Sequence, residues 1–331
     1  MQSNVRGLLE GAFMSAIFLV LFLISFYTPL GFIAIMALPV PMTVYGYRHP
    51  LKQGLLTVLA AVLLTFVSAA GVAGVLISLP AALVGIGMGY IYRKKNNAGQ
   101  ALITGTVIGL VTVFISIGIS LLFLQINPID TAVTAMKKMT ETMFQGMEAK
   151  LNASLQQLPQ AQREGAQGHQ ITAMQERIKM MEQELIPMVS MIIPASLIGS
   201  SLLTALLNHV LSSRVLQRMG ANAPALPAIR HLRFPRSVLY YYLIALIIPV
   251  FIGPVKYPFV RMAVMNISIL LQYAIIIQGF AVFAYWAHKK NWRRAGLIVA
   301  GCIFLIPPFT FILTLIGILD AGLDLRGRFL Q

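Results

Sequence analysis

The chain has 331 residues, of which 58% are hydrophobic and only 11% charged, and its formal net charge is +15. A soluble domain is roughly a quarter charged, so this composition excludes one and defines a helical protein of the lipid bilayer. The cation excess fits the loops that flank membrane helices, not a nucleic-acid partner, and the lone Cys302 excludes an intrachain disulfide framework or a cysteine-based metal site.

Apolar runs of about 17–25 residues, each long enough for a hydrocarbon core of roughly 30 Å, recur along the chain. The N-terminal half predicts five spans, Gly7–Tyr27, Leu30–Tyr47, Leu55–Ala69, Val72–Tyr92 and Ala101–Leu124. The first exceeds a signal-peptide core and has no clear small-residue cleavage site, so it reads as retained. Small residues recur at four-residue spacing in it, as Gly11/Ser15 and Ala12/Ala16, and again as Gly85/Gly89 and Gly105/Gly109. That spacing lines one helix face and lets backbones approach, either inside the bundle or against a partner helix. Glu10 is the only acid within an apolar run; it is either a functional ionisable group or the i,i+4 partner of Arg6 at the interface.

Residues 127–186 are the one long stretch that is not apolar. Met136, Met139, Met143 and Met147 continue as Leu151, Leu155 and Leu158, in steps of three and four that put them on one helix face. After Pro159, Gly165 and Gly168 the pattern restarts with Ile171, Met174, Ile178, Met181 and Leu185. Two amphipathic helices in an antiparallel hairpin are expected, with the methionines packed between them. Thioether binding of a soft metal is the alternative for the Met stripe, but its leucine half carries no sulfur.

Four further spans are expected: Pro187–Leu211, Ser237–Gly253, Val260–His288 and Leu297–Leu319, the last interrupted by Pro307-Pro308. Asn266, Gln272, Tyr273 and Gln278 are polar within the eighth, so they either bond to neighbouring helices or line a pocket. Alternating sides from a cytoplasmic N-terminus puts Arg6, Arg48, Lys52, Arg93–Lys95, Arg214, Arg218, Arg230, Arg233 and Arg236 inside, as the positive-inside rule requires. The hairpin then lies outside, with Asp320, Asp324 and the C-terminus also outside if all nine spans cross. The expectation is an all-α polytopic integral membrane protein of about nine transmembrane helices, five plus four. Residues 1–126 would form an N-terminal bundle, 127–186 an extracytoplasmic amphipathic helical hairpin, and 187–331 a C-terminal bundle. No paired carboxylates, nucleophile elbow or metal-ligand spacing stands in the spans, so neither an enzyme nor a resident cofactor is expected.

The opening Arg6-Gly7-Leu8-Leu9-Glu10-Gly11-Ala12, the five-span half, the Met-rich hairpin and His231-Leu232-Arg233-Phe234-Pro235 resemble the YybS-like family of uncharacterised bacterial multi-pass membrane proteins. That family is distantly similar to the six-span, substrate-binding S components of energy-coupling-factor (ECF) transporters, in which an Ala-x-x-x-Ala in the first helix docks the coupling subunit. Ala12 and Ala16 stand where that motif would, flanked by Gly11 and Ser15. The resemblance implies a bacterial cell membrane protein that binds or transports a small molecule beside a coupling membrane subunit with its ATPases. The other reading is a non-transporting scaffold whose hairpin holds a partner or a second copy of the chain.

Overall fold

The computed structural model describes residues 2–160, 165–252, 258–292, 296, 301 and 307–328. Among them every long regular element is a helix: α1 Gln2–Tyr27, α2 Gly31–Ala37, α3 Val40–Arg48, α4 Leu51–Thr65, α5 Gly71–Lys95, α6 Ala98–Ile119, α7 Pro128–Gln157, α8 Ala166–Met191, α9 Ile193–Arg218, α10 Arg236–Ile252, α11 Pro258–Lys289, α12 Pro307–Leu323 and the short α13 Leu325–Arg328. Among the described residues six helical stretches are long and apolar enough to cross a membrane: Val5–Tyr27, Leu51–Ser68, Gly71–Lys95, Ala98–Leu124, Ile193–Arg218 and Phe259–Lys289.

The other three expected spans differ from full-length helices. The second is split into α2 and α3 at Leu38-Pro39, because proline supplies no amide to continue the ladder. Arg236–Pro249 and Phe309–Leu323 are apolar but short. Residues 297–300 and 302–306 of the expected ninth span, with Cys302, lie outside the described residues.

Glycine makes the N-terminal bundle close. A Cβ on Gly85 would meet the Pro39 carbonyl, one on Gly89 the Thr43 carbonyl, and one on Gly46 would lie 2.8 Å from the Ile86 carbonyl. Hence α3 and α5 touch backbone to backbone, and the Gly85/Gly89 spacing serves packing within the chain. Gly105 faces Met88 and Ala205, while Gly109 faces Val84 and Ser201. These pairings make α6 antiparallel to both α5 and α9. They also place α9 chiefly against α6 and α3, while its first turns meet α11. The expected five-plus-four grouping assigned this helix to the later group. Phe18, Phe22, Met42, Tyr45, Val58 and Ile86 fill one core; Val84, Met88, Tyr92, Ala101, Ala205 and Leu216 fill the other.

Contacts gather the cations at one end. The Tyr45 hydroxyl donates to the Gly7 carbonyl at 3.0 Å, and Tyr92 meets His209 at 2.6 Å. The N-terminal end of α1 thus sits with the C-terminal ends of α3, α5 and α9, bringing together Arg6, Arg48, Arg93–Lys95, Arg214 and Arg218. Since α6 runs away from that end, α7 and α8 leave the bundle at the opposite one. Asn127 caps α7 by accepting from the Ile129 amide at 3.1 Å, with Pro128 as its first residue.

Helices α7 and α8 pack on each other. Gln175 donates to Asn152 at 2.6 Å, and Met147, Leu151, Met174 and Ile178 share a cleft, an antiparallel register. The seam, however, is not the methionine stripe. Phe144, Ile178 and Val189 are buried, whereas Met136, Met139, Met143, Met147, Met174 and Met181 are all exposed, Met139 at 77%. Phe144 follows Met143 by one residue, about 100° around the helix, and its ring buries more apolar area than the thioether.

Helices α10, α11 and α12 form a second group. A Cβ on Gly279 would meet the Leu313 carbonyl, and one on Gly317 the Ile275 carbonyl, so α11 and α12 also cross at backbone contact. The end of α12 is fastened to the loop before α10. Arg326 donates to the carbonyls of Arg230 at 3.0 Å and Leu232 at 2.9 Å, and Arg233 pairs with Asp324 at 3.0 Å. Asp324 therefore touches, and Asp320 reaches through Arg326, the basic loop from which nine full crossings would separate them.

Candidate functional site

Helix α1 divides its small residues between two faces. Gly11 and Ser15 turn inward: a Cβ on Gly11 would lie 2.7 Å from Thr57 Oγ1, and Ser15 donates to the Thr57 carbonyl at 3.3 Å. They serve packing against α4. Ala12 and Ala16 are exposed on the other face, beside Leu9 and Phe13. Glu10 lies 2.8 Å from His49 Nε2, 3.6 Å from Arg6 and 3.8 Å from Arg48. The arginine partner was legible as an i,i+4 pair, but His49, the closer partner, is 39 residues away and announced by no local pattern.

The four polar residues of α11 do not converge. Asn266 accepts from the Ala195 amide at 2.7 Å and donates to the Met191 and Met262 carbonyls, each at 2.7 Å. It satisfies the backbone where α8 gives way to α9 just before Pro194. Tyr273, two turns on along the same face, packs on Gly199 of α9. Gln278 turns elsewhere: its amide donates to Asp320 at 2.6 Å, and its carbonyl oxygen accepts from the Phe234 amide at 2.9 Å. Gln272 lines an open cleft with Tyr242, Thr310 and Thr314. Glu10 belongs to the other bundle. Three of these five residues are thus committed to bonds within the chain.

Two buried polar groups lie apart from these residues; Asn208 and His209 of the first are polar within the sixth expected span, where bonding between helices or a pocket is expected. The first joins three helices of the N-terminal bundle. Asn208 of α9 exchanges hydrogen bonds with Thr43 of α3 at 3.0–3.1 Å, accepts from Ser212 at 2.7 Å and donates to Met88 Sδ of α5 at 3.2 Å. Beside it the Tyr92 hydroxyl lies 2.6 Å from His209 Nδ1. Every member is buried and partnered, so the cluster is a rivet. Asn208→Ala is expected to cost about 1–3 kcal/mol, because Thr43 and Ser212 then lose a buried partner; thermal unfolding in detergent checks it.

The second group is the Asp320–Arg326 pair. Their closest approach is 2.8 Å and their side chains are 2% and 1% exposed. Gln278 and the Arg230 and Leu232 carbonyls complete the shell. Among the described residues no set of three or more His, Cys, Asp or Glu is placed to hold a metal ion.

A basic end, an apolar girth and two helix groups sealed by glycine contacts and internal polar bonds define a polytopic helical membrane protein. The chain belongs to the family described as "Predicted membrane protein (DUF2232)", whose model matches residues 16–321. It is 28% identical over 330 residues, 99% of each chain, to "Uncharacterized protein YybS" of Bacillus subtilis (strain 168). No solved structure matches it.

Proposed function

We propose that the chain is a small-molecule-binding membrane subunit built on the plan of an S component, docking a partner helix on the exposed face of α1. One observation carries this reading. Six elements, α1, the broken α2/α3, α4, α5, α6 and α9, form one bundle, with α7 and α8 inserted before the last. On its flank Ala12 and Ala16 are open while Gly11 and Ser15 are consumed inside. Two alanines one turn apart let another helix approach at backbone distance. In this reading the basic end and the N-terminus are cytoplasmic, the hairpin is extracytoplasmic, and the chain binds rather than catalyses.

The test is affinity purification in detergent. A coupling membrane subunit and an ATPase pair are expected to accompany the wild type, and Ala12→Leu/Ala16→Leu to lower their recovery about tenfold, a loss of about 1.4 kcal/mol. Its melting temperature should not change, because both positions are exposed. Absence of the ATPases, or equal recovery with the variant, contradicts the proposal.

The exposed methionines favour a second reading, a scaffold acting through the hairpin, since flexible thioethers suit adaptable protein contacts. Deletion of residues 129–186 would then abolish the cellular role while Ala12→Leu leaves it intact.

A further inference from the structure

A cleft of about 540 Å³ lies between α1, α3 and α9 of the N-terminal bundle. Met14, Ile17, Val44, Leu211 and Val215 make its walls apolar. Arg214 and Arg218 line it too, one helical turn apart near the C-terminal end of α9, where the other cations of the bundle gather. No carboxylate lines the cleft, and neither arginine belongs to an ion pair among the described residues.

We propose that this cleft holds an acidic phospholipid of the surrounding bilayer. An acyl chain would lie along Met14 and Ile17, and the headgroup phosphate would sit between Arg214 and Arg218. Three features select this occupant. Met14 and Ile17 of α1 and Leu211 and Val215 of α9 lie on two of the helices long and apolar enough to cross a bilayer, where acyl chains would surround them. The walls offer a chain apolar contact but no polar group to orient a hydrophilic metabolite. The two guanidiniums present fork-shaped donors that match phosphate oxygens, and basic pockets between membrane helices are where anionic headgroups are held. A zwitterionic lipid brings its own ammonium, which cancels much of that attraction, so a net negative headgroup is preferred. This site is separate from the Ala12/Ala16 face and stands or falls independently of partner docking.

The experiment uses the full chain in detergent, offered equal amounts of phosphatidylglycerol and phosphatidylcholine and read by native mass spectrometry. One phosphatidylglycerol per chain is expected to be retained, about tenfold in preference to phosphatidylcholine. Arg214→Gln/Arg218→Gln should erase the preference without changing the melting temperature, since both side chains are exposed. Val215→Trp, which fills the wall and leaves both charges, should lower retention of either lipid at the site. Arg93→Gln/Lys95→Gln, at the same end but outside the cleft, should change nothing. Equal retention of the two lipids by the wild type overturns the proposal, as does an undiminished preference in the arginine double variant. Mass addition by inorganic phosphate with no lipid retained also overturns it, because it would show a free-anion site.

Discussion

Asp320→Ala is expected to destabilise the C-terminal helix group by about 3–5 kcal/mol, the loss seen when one partner of a buried ion pair is removed. The alanine would strand the Arg326 guanidinium, whose side chain is 1% exposed, with only the Arg230 and Leu232 carbonyls for company. It would also orphan the Gln278 amide, which donates to Asp320 at 2.6 Å. Asp320→Asn keeps an acceptor but not the charge and should fall between. The double variant Asp320→Ala/Arg326→Met should recover most of the loss, since an apolar pair leaves no charge buried. Thermal unfolding in detergent of the wild type, Asp320→Ala, Arg326→Met and the double variant closes the cycle. Strict additivity of the two single losses would show that the two side chains do not act as a pair.

Gly89→Val is expected to be at least as damaging within the N-terminal bundle, at about 3 kcal/mol or more. The added Cβ meets the Thr43 carbonyl and lies 2.9 Å from the Tyr47 amide and 3.0 Å from the Gly46 carbonyl carbon. All three are backbone, so no rotamer change relieves the overlap and α3 must move off α5. The polar rivet would follow, because Thr43 is its α3 member. Gly118 and Gly146 supply the contrast: a Cβ there meets nothing within 4 Å. Gly118→Ala and Gly146→Ala should be neutral or stabilising by up to about 1 kcal/mol, from the lower helix propensity of glycine. Comparable losses at all three positions would mean that α3 and α5 are not in backbone contact.

Local rules made much of this fold legible. Length and apolarity marked the six full spans, small-residue spacing marked the faces at Gly85/Gly89 and Gly105/Gly109 but not their partners, and apolar steps of three and four marked α7. What local pattern cannot show is partner identity. Periodicity said that the methionines share a face; it could not say that Phe144, next along the helix, would win the seam. The second span was expected as one helix; the structure breaks it at Leu38-Pro39, and packing keeps both halves in the bundle. The Asp320–Arg326 pair spans a helix end and closes on a loop more than ninety residues earlier, so the sequence presents it as two ordinary tail charges. Glu10 was recognised as unusual, and its nearest partner was hidden for the same reason.

The claim on which the functional proposal rests is that α9 is the sixth element of the N-terminal bundle, reached across an inserted helical pair. Paired cysteines test it directly. A Cβ at Gly109 lies 3.3 Å from that of Ser201, a few tenths of an ångström inside the usual disulfide spacing of about 3.5–4.5 Å. With Cys302 replaced by serine, Gly109→Cys/Ser201→Cys should oxidise efficiently in native membranes. After a protease cut between α7 and α8, the two fragments should then migrate together until reduced. Fragments that separate without reductant, with cysteine pairs joining α9 to α10 or α12 forming instead, would contradict it.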